Sequence, residues 1–206
     1  MSAHMSIPNI ITLSRLPLLF GLVVLLYLPG AWPPWVALGL LPVLYLMDWF
    51  DGYLARQIDQ VTELGGVLDI AIDRVVENVL WIVFAHLGQI PLWIPLLFIT
   101  RSFVVDSLRG FALAKGKSAF GMMHSRLGRF LVAGRFMRGL YGGAKAVAFC
   151  AVVLNMALAA LADTPASLTA FFARAEMVLV YLSVLLCILR GLPVIFDIRA
   201  LLEQTS

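Results

Sequence analysis

The chain has 206 residues, 62% of them hydrophobic and 13% charged, with a formal net charge of +3 and a mean hydropathy of +0.96. No soluble core of this size hides that much apolar surface, so a water-soluble globular domain is excluded and an integral membrane protein is expected. The two cysteines, Cys150 and Cys187, lie inside apolar runs; this argues against a disulfide framework or a thiolate metal site and makes them small hydrophobes.

Residues 1–4, ahead of a second methionine at Met5, read as an expression remnant. The polar, Pro-containing segment that follows lacks a small-residue cleavage site, which predicts a retained span and not a signal peptide. Windows of about 20 apolar residues, the length a bilayer asks of a helix, recur from there on. The first runs from about Ile10 to Leu28 and stops at "LPGAWPP", where Pro and Gly break the helix. The second runs from about Trp35 to Arg56, the third from about Leu64 to Leu87, and the fourth from about Leu92 to Ala114. The fifth begins as a basic amphipathic stretch near Leu127 and becomes purely apolar from about Gly139 to Leu161; the sixth spans about Ala175 to Phe196. The expected fold is therefore an all-α integral membrane bundle of six transmembrane helices, a single domain over residues 1–206 with a short N-terminal interfacial segment.

Lys and Arg in the short connections set the orientation. "PGAWPP" and "HLGQIP" carry neither, and the connection after Leu161 carries only Arg174, whereas the alternate connections hold Arg56 and then Lys115, Lys117, Arg126 and Arg129. Both termini and the loops after the second and fourth spans are expected in the cytoplasm. Trp32, Trp35 and Trp93 fall at the opposite ends, as interfacial aromatics should.

The stretch "LMDWFDGYLARQIDQVTELGGVLDIAIDR" places Asp48, Asp51, Asp69 and Asp73 at the cytoplasmic ends of two such helices. Asp48 and Asp51 are three apart and Asp69 and Asp73 four apart, so each pair shares one helix face. Two adjacent antiparallel spans would turn all four carboxylates toward one another. An ionised Asp at mid-membrane costs roughly 2.5 to 3.5 kcal/mol even on a lenient scale, and four facing each other repel, so protons or cations must hold them. Oxygen-only ligands select a hard divalent ion, Mg2+ or Mn2+ ahead of Ca2+, and four carboxylates suffice for a two-metal site of the kind that clamps a phosphoryl displacement. Pairing with Arg56 and Arg74 at the interface is the plainer alternative. Asp59 and Glu63 read as solvated turn residues.

Asp48, Asp51-Gly52, Ala55-Arg56, Gly65, Asp69 and Asp73 match every position of the signature D-x2-D-G-x2-A-R-x8-G-x3-D-x3-D, so the chain resembles the CDP-alcohol phosphotransferases. Pro8, Asn9, Thr12 and Arg15 also resemble the Pro-Asn-x-x-Thr-x-x-Arg segment that opens many members. The resemblance implies a cytoplasm-facing polar cavity in which a CDP-linked lipid such as CDP-diacylglycerol binds and an acceptor hydroxyl attacks its β-phosphorus, with CMP leaving. It implies Asp48, Asp51 and Asp69 as metal ligands, Asp73 as both ligand and general base, and Asn9, Thr12, Gly52, Arg56 and Thr62 as contacts to the CDP-lipid. No nucleic-acid partner is expected.

The region from Arg101 to Lys145 is strongly basic. Lys115, Lys117, Arg126 and Arg129 read as positive-inside charge or attraction to anionic lipid, but Arg101, Arg135, Arg138 and Lys145 fall within or beside apolar helices, where a cation wants an anion. With Arg109 they form a candidate phosphate site, favouring glycerol 3-phosphate or inositol phosphate over free serine, inositol or choline. Arg101, Leu108-Arg109 and Gly116 resemble the spacing of bacterial phosphatidylglycerophosphate synthases, although "GRFMRGLYGGAKA" stands where those enzymes carry G-K-x-K-T. Asp106 could pair with Arg101 or Arg109. Gly139 and Gly143 form a small-xxx-small pair, usable within one chain or in a homodimer. A cation transporter using the aspartates as a transit site is the rival class.

Overall fold

A bilayer offers backbone amides and carbonyls no water, so a spanning chain must satisfy them within helices. The computed structural model describes residues 7–57, 63–114, 129–162 and 164–203, and every regular element among them is helical. The elements are α1 (Ile7–Tyr27), α2 (Trp32–Gln57), α3 (Glu63–His86), α4 (Trp93–Ala114), a π-helical turn at Arg129–Ala133, α5 (Arg135–Ala159) and α6 (Ala166–Glu203).

The first four helices fall within a few residues of the expected spans, and the last two differ. The expected start of the fifth near Leu127 lies outside the described residues; the π-helical turn ends at Ala133, an added Cβ at Gly134 would collide with the Phe130 carbonyl oxygen, and the α-helix starts at Arg135. The sixth starts at Ala166, well before Ala175, and runs to Glu203. No Gly or Pro stands between Pro165 and Gly191 to stop it, and the Pro165 carbonyl accepts the Leu168 amide at 2.9 Å. Its 38 residues make a rod about 57 Å long at 1.5 Å per residue, longer than the hydrocarbon core alone demands.

Among the described residues four helices, α1, α2, α5 and α6, are long and apolar enough to cross a membrane. With 24 and 22 residues, α3 and α4 are long enough too, but they carry charge within them: Asp69, Asp73, Arg74 and Glu77 on α3, and Arg101, Asp106 and Arg109 on α4.

The chain divides into two compact units, residues 1–89 with 149–176 and residues 90–148 with 177–206. In the first, α1 packs on both α2 and α3. Leu19, Leu22 and Leu26 of α1, Ala37, Leu41 and Leu44 of α2, and Val76, Leu80 and Val83 of α3 are all buried, each set at the three-and-four spacing of one helix face. Trp81 meets Phe149 edge-on at 4.6 Å, and Phe84 reaches the same ring at 5.6 Å, which ties α3 to the second half of α5. Tyr27 and His86, at the C-terminal ends of α1 and α3, sit 5.6 Å apart, so these two helices run the same way and α2 runs against them. In the second unit Val105, Val132 and Val194 form a core with Leu108 and Leu131, and Trp93 stacks on Tyr181 at 6.2 Å.

The end of α3 is capped through Gly88. Its φ of +72° lets the Gln89 amide reach the Phe84 carbonyl at 2.9 Å and the Gly88 amide reach Ala85 at 3.1 Å, the paired bonds of a Schellman turn. Gly88→Ala should cost about 1 kcal/mol through the left-handed backbone it strains. Gly21→Ala, whose Cβ meets open space on α1, should be neutral or stabilising by up to about 1 kcal/mol. Thermal unfolding of the detergent-solubilised variants reads both.

Candidate functional site

The buried stripes of the first unit change character at one end. On α1 the positions that continue Leu26, Leu22 and Leu19 toward the N-terminus are Arg15, Thr12 and Asn9, all buried. On α2 the stripe Ala37, Leu41, Leu44 continues into Asp48 and Asp51, and on α3 the stripe of Leu80 and Val76 continues back into Asp73 and Asp69. The same rotation that buries the leucines therefore aims these polar residues at a common axis. On the outer face of α2 Trp49, Phe50 and Tyr53 are exposed, with Trp49 stacked on Tyr53 at 5.5 Å, an arrangement suited to a lipid headgroup layer.

The aspartates converge as their spacing predicts. Ligand oxygens of Asp48, Asp51 and Asp69 all lie within 4.8 Å of one another. Asp51 is 3% exposed and takes the Thr12 hydroxyl proton on Oδ2 at 2.6 Å; the Pro8 carbonyl lies 3.0 Å from the same hydroxyl. Asp73, one turn past Asp69, is drawn into the group by Arg15. That guanidinium, 1% exposed, donates from Nη1 to Asp48 Oδ1 at 2.5 Å and from Nη2 to Asp73 Oδ1 at 2.9 Å, with Asp69 Oδ1 3.9 Å from Nη1. These are charge-assisted bonds from a fully buried guanidinium to carboxylates that stay 35% and 45% exposed.

The donor set fits a hard divalent ion. All ligands are carboxylate oxygens, and Asp69 Oδ1 is buried with no hydrogen-bond partner, a desolvated acceptor that a cation would satisfy. Magnesium with oxygens at about 2.1 Å places neighbouring ligands about 3 Å apart and opposite ones about 4.2 Å apart, so the three oxygens would draw in toward the ion by side-chain rotation.

Other expected site residues fall as follows. Asn9 is buried one turn before Thr12, and Gly52 is half-buried beside Asp51. Arg56 lies on the last turn of α2 and its side chain, like Thr62 as a whole, lies outside the described residues. Arg74 pairs with Glu77 at 3.2 Å, and the guanidinium that bridges the aspartates is Arg15.

In the second unit two of the five expected phosphate-site residues come together. Lys145 Nζ stands 4.2 Å from the centroid of the Tyr141 ring and the Arg101 guanidinium 5.5 Å from it, and a third cation, Arg190, approaches at 5.4 Å. Arg101 and Arg190 are buried, and Arg190 Nη2 donates to the Val132 carbonyl at 3.3 Å. Gly191 makes room: a Cβ there would stand 3.0 Å from Arg101 Cγ. Arg138 is exposed on α5, while the side chains of Arg109 and Arg135 lie outside the described residues, as do Lys115, Lys117 and Arg126.

Arg15 and Arg190 were not among the expected site residues. Each had a signal: Arg15 is the single charge in the first apolar run and continues the leucine stripe, and Arg190 stands alone in the run from Met177 to Phe196.

A family model described as CDP-alcohol phosphatidyltransferase matches residues 5–189. A CDP-diacylglycerol–glycerol-3-phosphate 3-phosphatidyltransferase of Salmonella choleraesuis (strain SC-B67) is 35% identical over 115 residues, 54% of this chain and 63% of that protein. The protein of the same description from Escherichia coli (strain K12) is 33% identical over the same length and shares. The chain thus spans 63% of the length of these curated relatives.

If the triad holds a divalent ion, Mn2+ at one hundred times its dissociation constant should stabilise the folded chain by about 2.7 kcal/mol. The rise in melting temperature should vanish in Asp51→Asn and persist in Arg138→Gln; a rise of equal size in Asp51→Asn would rule the triad out.

Proposed function

The chain belongs to the CDP-alcohol phosphatidyltransferase family, and from that membership we propose that it transfers a phosphatidyl group from CDP-diacylglycerol to glycerol 3-phosphate, releasing CMP. The observation that carries the reading is the convergence of Asp48, Asp51 and Asp69 from α2 and α3, with Asp73 tied to the same group through Arg15, at the family's signature positions. The relatives named for the glycerol 3-phosphate reaction support the choice of acceptor.

In the proposed reaction the acceptor hydroxyl oxygen forms a bond to the lipid-bearing phosphorus and the pyrophosphate P–O bond to CMP breaks. A divalent ion, Mg2+ or Mn2+, or a pair of them, would neutralise the pyrophosphate oxygens and the charge that collects on the leaving phosphate. Asp48, Asp51 and Asp69 hold that charge in place. Asp73 takes the hydroxyl proton. Thr12 acts through Asp51, to which its hydroxyl donates. Gly52 offers no side chain to obstruct a nucleotide, and Asn9, Arg56 and Thr62 are assigned to the CDP-lipid by signature position.

Arg101, Arg190 and Lys145 around Tyr141 are the proposed phosphate-binding group for the acceptor. Three cations gather on one ring, and Arg101 Nε is buried without a hydrogen-bond acceptor, which a phosphate oxygen would supply. Arg109, Arg135 and Arg138 belong to the same proposal by sequence. We place the protein in the cell (inner) membrane as six spans, α3 and α4 included, with both termini and the aspartate end cytoplasmic, on the distribution of Lys and Arg.

Purified protein given CDP-diacylglycerol, Mg2+ and a panel of alcohols should release CMP with glycerol 3-phosphate and much less with inositol, serine or choline. Folded protein inactive across the whole panel would sink the reading. Asp73→Asn should cut CMP release by about a thousandfold while CDP-lipid binding survives, whereas Asp51→Asn should lose the metal-dependent binding itself. Arg101→Gln should raise KM for glycerol 3-phosphate roughly tenfold or more with a smaller change in kcat; an unchanged KM would detach the Tyr141 cluster from the acceptor.

A further inference from the structure

Arg15 is among the largest fully buried side chains of the protein, and neither the metal triad nor the proton transfer uses it. We propose that Arg15 is a positioning residue of the aspartate cluster: it fixes the Asp73 carboxylate for proton acceptance and, as a permanent neighbouring cation, weakens the cluster's hold on the divalent ion. This deepens the reading given above and rests on it.

The geometry carries the first half. One planar guanidinium addresses Asp48 on α2 with Nη1 and Asp73 on α3 with Nη2, so a single rigid group sets the separation of two carboxylates contributed by different helices. It meets Oδ1 of each, so both carboxylates are held by one plane from the same side. Its own orientation is fixed from α1, whose stripe of Leu19, Leu22 and Leu26 is fully packed. Charge carries the second half. Four ionised carboxylates amount to −4 and one guanidinium to +1, so the group meets a divalent ion with −3. A guanidinium keeps its proton at any pH the protein survives, so this discount is constant. A lysine could supply the charge but not the two-pronged bridge.

The test uses the full chain in detergent, with Mn2+ binding followed by electron paramagnetic resonance and CMP release measured with CDP-diacylglycerol and glycerol 3-phosphate. Arg15→Gln should bind Mn2+ at least roughly tenfold more tightly than wild type, because a like charge a few ångströms from the ion is gone. At saturating Mn2+ its CMP release should still fall about a hundredfold, because Asp73 has lost its tether. Arg15→Lys should keep Mn2+ affinity within about threefold of wild type and lose roughly tenfold in turnover. A residue needed only for packing would lower stability without tightening Mn2+.

A folded Arg15→Gln protein that binds Mn2+ no more tightly, or a folded Arg15→Lys protein with full turnover, overturns the proposal. Where Arg15→Gln fails to fold, the split between affinity and turnover in Arg15→Lys decides alone. CMP release by wild type together with unchanged Mn2+ affinity in Arg15→Gln removes the role of Arg15 and leaves the transferase reading intact. Tightened Mn2+ binding in Arg15→Gln, together with wild type that releases no CMP with any acceptor, removes the transferase reading, and with it the part of the proposal that concerns Asp73.

Discussion

Everything in the first unit depends on how a buried guanidinium and four carboxylates are accommodated among leucines. The solution is a seam shared by three helices, apolar along most of its length and ionic at one end. Neither half stands alone. The packed leucines, alanine and valines fix the rotation of α1, α2 and α3 about their axes, and that rotation brings Arg15, Asp48 and Asp73 within bonding distance. A slip would leave the buried guanidinium without its acceptors, so the ionic end in turn penalises any slip of the apolar one. Register is thereby specified twice, by volume and by charge.

The second unit solves the converse problem, an excess of positive charge. Arg101, Arg190 and Lys145 come from three helices and share the face and edge of one tyrosine. An aromatic ring is a weak acceptor that suits several cations at once. In the proposed role the several oxygens of a phosphate can address all three where a single carboxylate could not.

Much of this was legible in the sequence, for physical reasons that differ by residue. The register of Asp48 with Asp51 and of Asp69 with Asp73 follows from 3.6 residues per turn alone, and the triad formed accordingly. The extent of α6 was misjudged because a hydropathy window sees the bilayer's demand and not the helix: Arg174 and Glu176 depress the average, yet neither breaks a helix. Arg15 was read only as part of an N-terminal segment, since an arginine near a helix start more often snorkels to the interface. Its burial depends on which way α1 faces, and the leucines that decide this lie one to three turns further on. Arg190 was hidden for a similar reason, with its partners on α4 and α5 far away in sequence.

The bridge made by Arg15 also bears on how the chain enters the membrane. The first helix emerges carrying a cation that costs roughly 2.5 to 3.5 kcal/mol at the centre of a bilayer even by translocon scales, while its partners are 33 and 58 residues behind it. Until α2 and α3 arrive, α1 is a poor lipid-facing helix at that end. Insertion one helix at a time would strand the charge, so the first three helices are best released into lipid as a preassembled trio. On that account the ion pairs that shape the site also tie the settling of α1 in lipid to the arrival of α2 and α3.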